Sequence, residues 1–60
     1  MLKVKLHDHS TCYIAVEHIL RVHELPDKTI SQMYLSDGSH FAVRMPLDEL
    51  VQAIHAEETR

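Results

Sequence analysis

A chain of 60 residues makes one small domain, and its single cysteine excludes an intrachain disulfide as a support. With 45% hydrophobic and 25% charged residues, one glycine and two prolines, it is not a disordered tail. Six Lys and Arg against nine Asp and Glu give a formal charge of −3, which argues against a strong binder of polyphosphates.

Met1 to Leu6 alternates strictly, Leu2, Val4 and Leu6 on one face and Lys3 and Lys5 on the other. That pattern predicts a half-buried strand rather than a signal peptide. Thr11 to Glu17 predicts a second strand, with Cys12, Ile14 and Val16 in phase. A three-residue loop, Asp8-His9-Ser10, pairs Leu6 with Cys12, Val4 with Ile14 and Leu2 with Val16, so apolar meets apolar throughout. A two-residue loop would set lysines against Cys12 and Ile14. The same register bears on metal binding. His7 falls on the lysine face, His9 at the loop tip and Cys12 on the core face, so the three cannot converge as zinc ligands. No metal and no other cofactor is expected.

Glu17 to Leu25 fits a short bend followed by a strand, and a helical turn over Glu17 to Leu20 fits the same residues. Pro26-Asp27 marks a turn. Thr29 to Ser36 and Ser39 to Met45 then flank Asp37-Gly38, the strongest hairpin signal in the chain. A two-residue turn there pairs Tyr34 with Phe41, Gln32 with Val43 and Ile30 with Met45 as the core side. The reverse side pairs Leu35 with His40, Met33 with Ala42 and Ser31 with Arg44. Pro46 opens a helix expected to run to Ala56, with Leu47, Leu50, Val51 and Ile54 as its apolar stripe and Asp48 and Glu49 in its first turn. Acids near its C-terminus predict that the final EETR frays.

The expected fold is therefore mainly β with one C-terminal α-helix, an α+β domain over residues 1–60. It has a small antiparallel sheet of about five strands followed by an amphipathic helix. No apolar run is long enough to span a bilayer, and one free thiol suits the cytoplasm, the expected compartment. No constellation of tuned acids, bases or nucleophiles stands out, so an enzyme is not expected.

The run YIAVEHILRVHELPDKTISQMYLSDGSHFAVRMPLDELVQAI resembles the small flagellar-operon proteins of the FlbD/SwrD type. The matching positions are Tyr13, Ile19, Val22, Pro26, Asp27, Ile30, Gly38, Val43, Leu50, Val51 and Ile54, all turn or core residues. The resemblance implies a small non-enzymatic cytoplasmic protein acting through protein contacts. Two other likenesses suggest an alternative, a small RNA- or DNA-binding regulator. MYLSDGSHFAVRMPLDEL looks like the middle of a LytTR DNA-binding domain, and the overall plan is similar to that of CsrA-type RNA regulators.

The favoured expectation is a protein-interaction or regulatory module. Met33, Leu35 and Ala42 form its candidate interface on the second sheet face, and the working unit is a homo-oligomer, most simply a dimer, or a complex with another protein. Under the alternative, Lys3, Lys5 and Arg44 would contact nucleic acid, an unlikely partner on overall charge, and no membrane insertion is expected.

Overall fold

The structure is a computed structural model that describes residues 1–59. Leu2–Lys5 forms strand β1 and Thr11–Ile14 forms β2, an antiparallel pair with Leu2 opposite Ile14 and Val4 opposite Cys12. The loop has three residues, as expected, but it is His7-Asp8-His9, one position earlier. His9 adopts a left-handed conformation (φ 71°), Leu6 N–H reaches Ser10 C=O at 2.8 Å, and His9 N–H reaches Leu6 C=O at 3.0 Å. Asp8 Oδ1 decides the position, accepting from Ser10 N–H at 3.0 Å and Ser10 Oγ–H at 2.6 Å. Each residue's partner moves by two, an even number, so the apolar face stays inside.

Ala15 leaves the strand, and Val16–His18 forms a single 3₁₀ turn, η1, where the longer second strand was expected. Ile19–Glu24 is β3, Ser31–Leu35 is β4 and His40–Val43 is β5, a three-stranded antiparallel meander. Its second hairpin corrects the sequence expectation. The loop is Ser36-Asp37-Gly38, closed by Leu35 N–H to Ser39 C=O at 2.9 Å and Gly38 N–H to Leu35 C=O at 3.1 Å. A two-residue type I′ turn needs positive φ at both central residues. Here only Gly38 has it (φ 91°), so the three-residue loop confines the strain to the one residue without a Cβ. The slip is one residue, and it exchanges the faces. Ser31 now stands opposite Val43, and Met33 opposite Phe41. The expected core positions Gln32 and Tyr34 turn outward, while Met33 is fully buried.

The five strands lie side by side as β3-β4-β5-β1-β2, although ladder pairing divides them into sheets of three and two strands. Leu6 bridges to Val43, flanked by His7 N–H to Ala42 C=O at 3.0 Å and Arg44 N–H to Lys5 C=O at 2.8 Å. The core gathers Leu2, Val4, Ile14, Met33, Val43 and Leu50. Ser31 is buried among them because its Oγ–H donates to Met45 C=O at 2.7 Å.

Leu47–Glu58 is the helix, α1, and it packs against β1, β3 and η1. Leu50 is fully buried, and Leu47, Ala53 and Ile54 are half-buried. Val51 is not part of the buried stripe, being 49% exposed. The helix also outruns its expected end. Glu57 faces back toward the sheet and accepts from the Met1 ammonium at 3.4 Å, a contact that holds the last turn. Of the tail expected to fray, Glu57 and Glu58 are helical and Thr59 is the residue that ends the helix, while Arg60 lies outside the described residues.

Candidate binding surfaces

The Leu6–Val43 bridge fixes what stands on the outer face, the side away from α1. In an antiparallel ladder, residues directly opposite one another point the same way. Lys5 therefore stands beside Arg44, and His7 beside Ala42. The meander continues the second row to Gln32 and His23, and places His40, Tyr34 and Arg21 in a third. These three rows contain no carboxylate.

Tyr34 is the centre of this face. The Arg21 guanidinium carbon lies 4.6 Å from its ring centroid, a cation–π distance. The His23 ring meets it edge-on at 5.5 Å and 82°, and the His40 ring lies tilted at 5.7 Å. Gln32 Nε2 is 3.1 Å from His40 Nδ1. Beside them is a shallow dip of about 270 Å³ lined by Leu6, His7, Gln32, His40, Phe41 and Ala42.

A second surface lies on the other side of β2. Hairpin alternation makes Val4–Cys12 and Leu2–Ile14 the hydrogen-bonded pairs, so the backbone groups of Thr11 and Tyr13 point away from β1. Among the described residues no strand meets them. Next to this open edge is a hollow of about 650 Å³, reaching from Cys12 and Ile14 to Leu35 and Phe41. On its rim His18 Nδ1 is 3.2 Å from Ser36 Oγ. Asp37 borders the same hollow, and His18 slightly favours its carboxylate, but its Oδ1 accepts from Ser39 N–H at 2.9 Å and Ser39 Oγ–H at 2.6 Å and no hydrogen bond to His18 is formed.

The structure separates the residues singled out in the sequence. Met33 is inside the core and has no exposed surface, which removes it from any interface. Leu35 lines the hollow, and Ala42 lies on the opposite, outer face, so the expected strip does not exist as one patch. Lys3, Lys5 and Arg44 do share the outer face. Arg21, His23, Tyr34 and His40 were missed because the two-residue turn put Tyr34 inside. One signal was available: that register also demanded a buried Gln32 opposite Val43, an unpaired amide in an apolar core.

Three carboxyls are held below their ordinary value of 3.8, and all for one reason. Asp8, Asp27 and Asp37 each accept from the hydroxyl and the N–H of the residue two positions on, Ser10, Thr29 and Ser39. Arg44 adds a smaller effect on Asp27. These bonds stabilise turns, and although Asp37 borders the hollow beside β2, its carboxylate is engaged by Ser39 as the other two are by Ser10 and Thr29. His7 and Cys12 lie on opposite faces, and among the described residues no three His, Cys, Asp or Glu side chains gather to hold an ion. Comparisons with family models, with curated proteins and with solved structures give no match for this chain.

Proposed function

We propose that the protein is a small non-enzymatic interaction module that works as a homodimer, two copies joined antiparallel along β2. The open edge of β2 beside the hollow is the observation that carries this reading. Outward N–H and C=O groups on Thr11 and Tyr13 are a template for strand addition. A strand laid along that edge drops a side chain into the hollow and covers Cys12, Leu35 and Phe41. Need supports the same view, since the buried apolar core of the described residues is small, six side chains, and a single cysteine allows no disulfide within the chain. A second copy supplies that support from the same gene product. Among the described residues no helix is long and apolar enough to cross a membrane.

Gel filtration with light scattering tests the proposal, comparing wild type with Tyr13→Pro. Tyr13 N–H points off the sheet edge, so proline there removes a bond between subunits and none within one. The expected outcome is a dimer at micromolar concentration that becomes a folded monomer in the variant. A wild-type monomer at those concentrations, or a dimer indifferent to Tyr13→Pro, would overturn the reading.

A further inference from the structure

The charge of this chain is divided between its two sides. α1 carries Asp48, Glu49, Glu57 and Glu58 and no Lys or Arg. The five strands carry Lys3, Lys5 and Arg21 against one acid, Glu24, and Glu24 stands opposite the core-facing Ser31 rather than in the outer rows. The connections between strands add Lys28 and Arg44 against Asp8, Glu17, Asp27 and Asp37, so the part outside the helix is neutral as a whole and the cationic excess belongs to the outer rows of the sheet.

Two features of the outer face bear on what it can bind. Lys5 and Arg44 are a like-charged cross-strand pair, which destabilises a sheet. Among the described residues neither is within ion-pair distance of a carboxylate, although Arg44 is near enough to Asp27 to favour its ionised form. The other feature is a half-buried tyrosine surrounded by Arg21, His23 and His40, all exposed, whose mutual packing leaves an aromatic ring and a guanidinium at the solvent boundary.

We propose that this outer face binds single-stranded nucleic acid. Lys5 and Arg44 meet the phosphates of the strand, and Lys3 extends the cationic track beside the exposed Tyr13. A base stacks on the platform of Tyr34 and the Arg21 guanidinium, since aromatic rings and guanidinium planes both offer a flat face to a base. The dip between His7 and His40, with the Gln32 amide at its wall, lies within the same rows and presents donors and acceptors to a base edge. Single strands suit the geometry better than a duplex. The surface is a sheet with no element projecting from it into a groove, and the helix on the far side is acidic. An acidic peptide would satisfy the cations but leave the platform without a flat partner. The platform of Tyr34 and Arg21 lies on β3 and β4, away from the β2 edge, so the proposal does not depend on the dimer, although Phe41 lines both the dip and the hollow and Tyr13 borders both surfaces.

Fluorescence anisotropy tests it with labelled oligouridylate and oligothymidylate of about 12 nucleotides, at about 50 and about 150 mM salt. A duplex of similar length and a polyglutamate peptide are the comparators. Binding with a Kd on the order of micromolar at the lower salt is expected, and preference for the ribo- or deoxyribo-oligomer identifies the sugar. Tyr34→Leu weakens binding about tenfold and leaves the salt dependence unchanged, whereas Tyr34→Phe retains it. Lys5→Gln with Arg44→Gln lowers the slope of log affinity against log salt by about 1.4, about 0.7 for each cation removed. Should Tyr34→Leu fail to fold, Arg21→Gln is the second variant, and it too must weaken binding. No binding to either oligomer, equal affinity for duplex or polyglutamate, or indifference to the Tyr34 and Arg21 substitutions would each overturn the proposal.

Discussion

One short pattern recurs at every tight turn of the sheet. Asp8-His9-Ser10, Asp27-Lys28-Thr29 and Asp37-Gly38-Ser39 are each Asp-x-Ser/Thr, and in each the aspartate Oδ1 accepts both the N–H and the O–H of the third residue. The hydroxyl contact is 2.6 Å in all three, the short distance of a charge-assisted bond. Because these bonds favour the carboxylate, the three groups titrate below the ordinary 3.8 in the folded chain. The unfolded chain then binds protons first as pH falls. Their contribution to stability is present above the unfolded value and is lost as pH drops through the lowered folded values. Thermal melts between about pH 2 and 7 check this. Wild type should lose stability below about pH 4, and a triple Asp→Asn variant should start lower and show a flatter acid limb. A triple variant with the wild-type acid limb would assign that limb to other carboxyls.

At the scale of elements, the helix separates periodicity from packing. Leu47, Leu50, Val51 and Ile54 have ideal spacing for one stripe, yet a small curved sheet covers only a narrow part of a helix surface. Leu50 sits at the centre of contact and is fully buried, while Val51 turns to solvent at 49% exposure. Leu50→Ala should therefore cost about 3 kcal/mol, and Val51→Lys less than about 0.5 kcal/mol, as chemical denaturation will measure. Comparable losses at the two sites would mean that α1 is rotated about its axis from this arrangement. The hairpins make a similar point about loops. The β1–β2 and β4–β5 hairpins use three residues with a single left-handed position, and Asp at the middle of each loop is what the sequence offered as the cue.

On the scale of the whole molecule, the two sheets are joined by very little backbone: one bridge, Leu6 to Val43, and the bonds on either side of it. Side chains complete the union, since Leu2, Val4 and Ile14 from one hairpin share a core with Met33 and Val43 from the other. Neither hairpin can bury its apolar face alone, so the domain should unfold as one unit. Native-state hydrogen exchange checks this through the His7 and Arg44 amides, which should be protected to the same free energy as the amides of β4. Markedly faster exchange at His7 and Arg44 would divide the domain into two separately opening parts.

The sequence by itself determined the α+β class, the existence of each strand and the helix, and the inward face of the first hairpin. Those follow from periods of two and of 3.6 residues and from turn residues, all local signals. The first hairpin survived an error in loop position because an even shift keeps its faces. Only the tertiary structure decided the β4–β5 hairpin, where both faces carry apolar residues and a slip of one position costs little locally. Burial of Met33 against Val22 and Phe41, with Ser31 bonded to Met45, selected the register. That choice sent Tyr34 outward among Arg21, His23 and His40. Four acids lie on the helix at the opposite side, and the outer rows hold cations without a carboxylate among them, a placement that the single net charge does not report. No local pattern carries that division, because it depends on which residues the fold brings together from five strands.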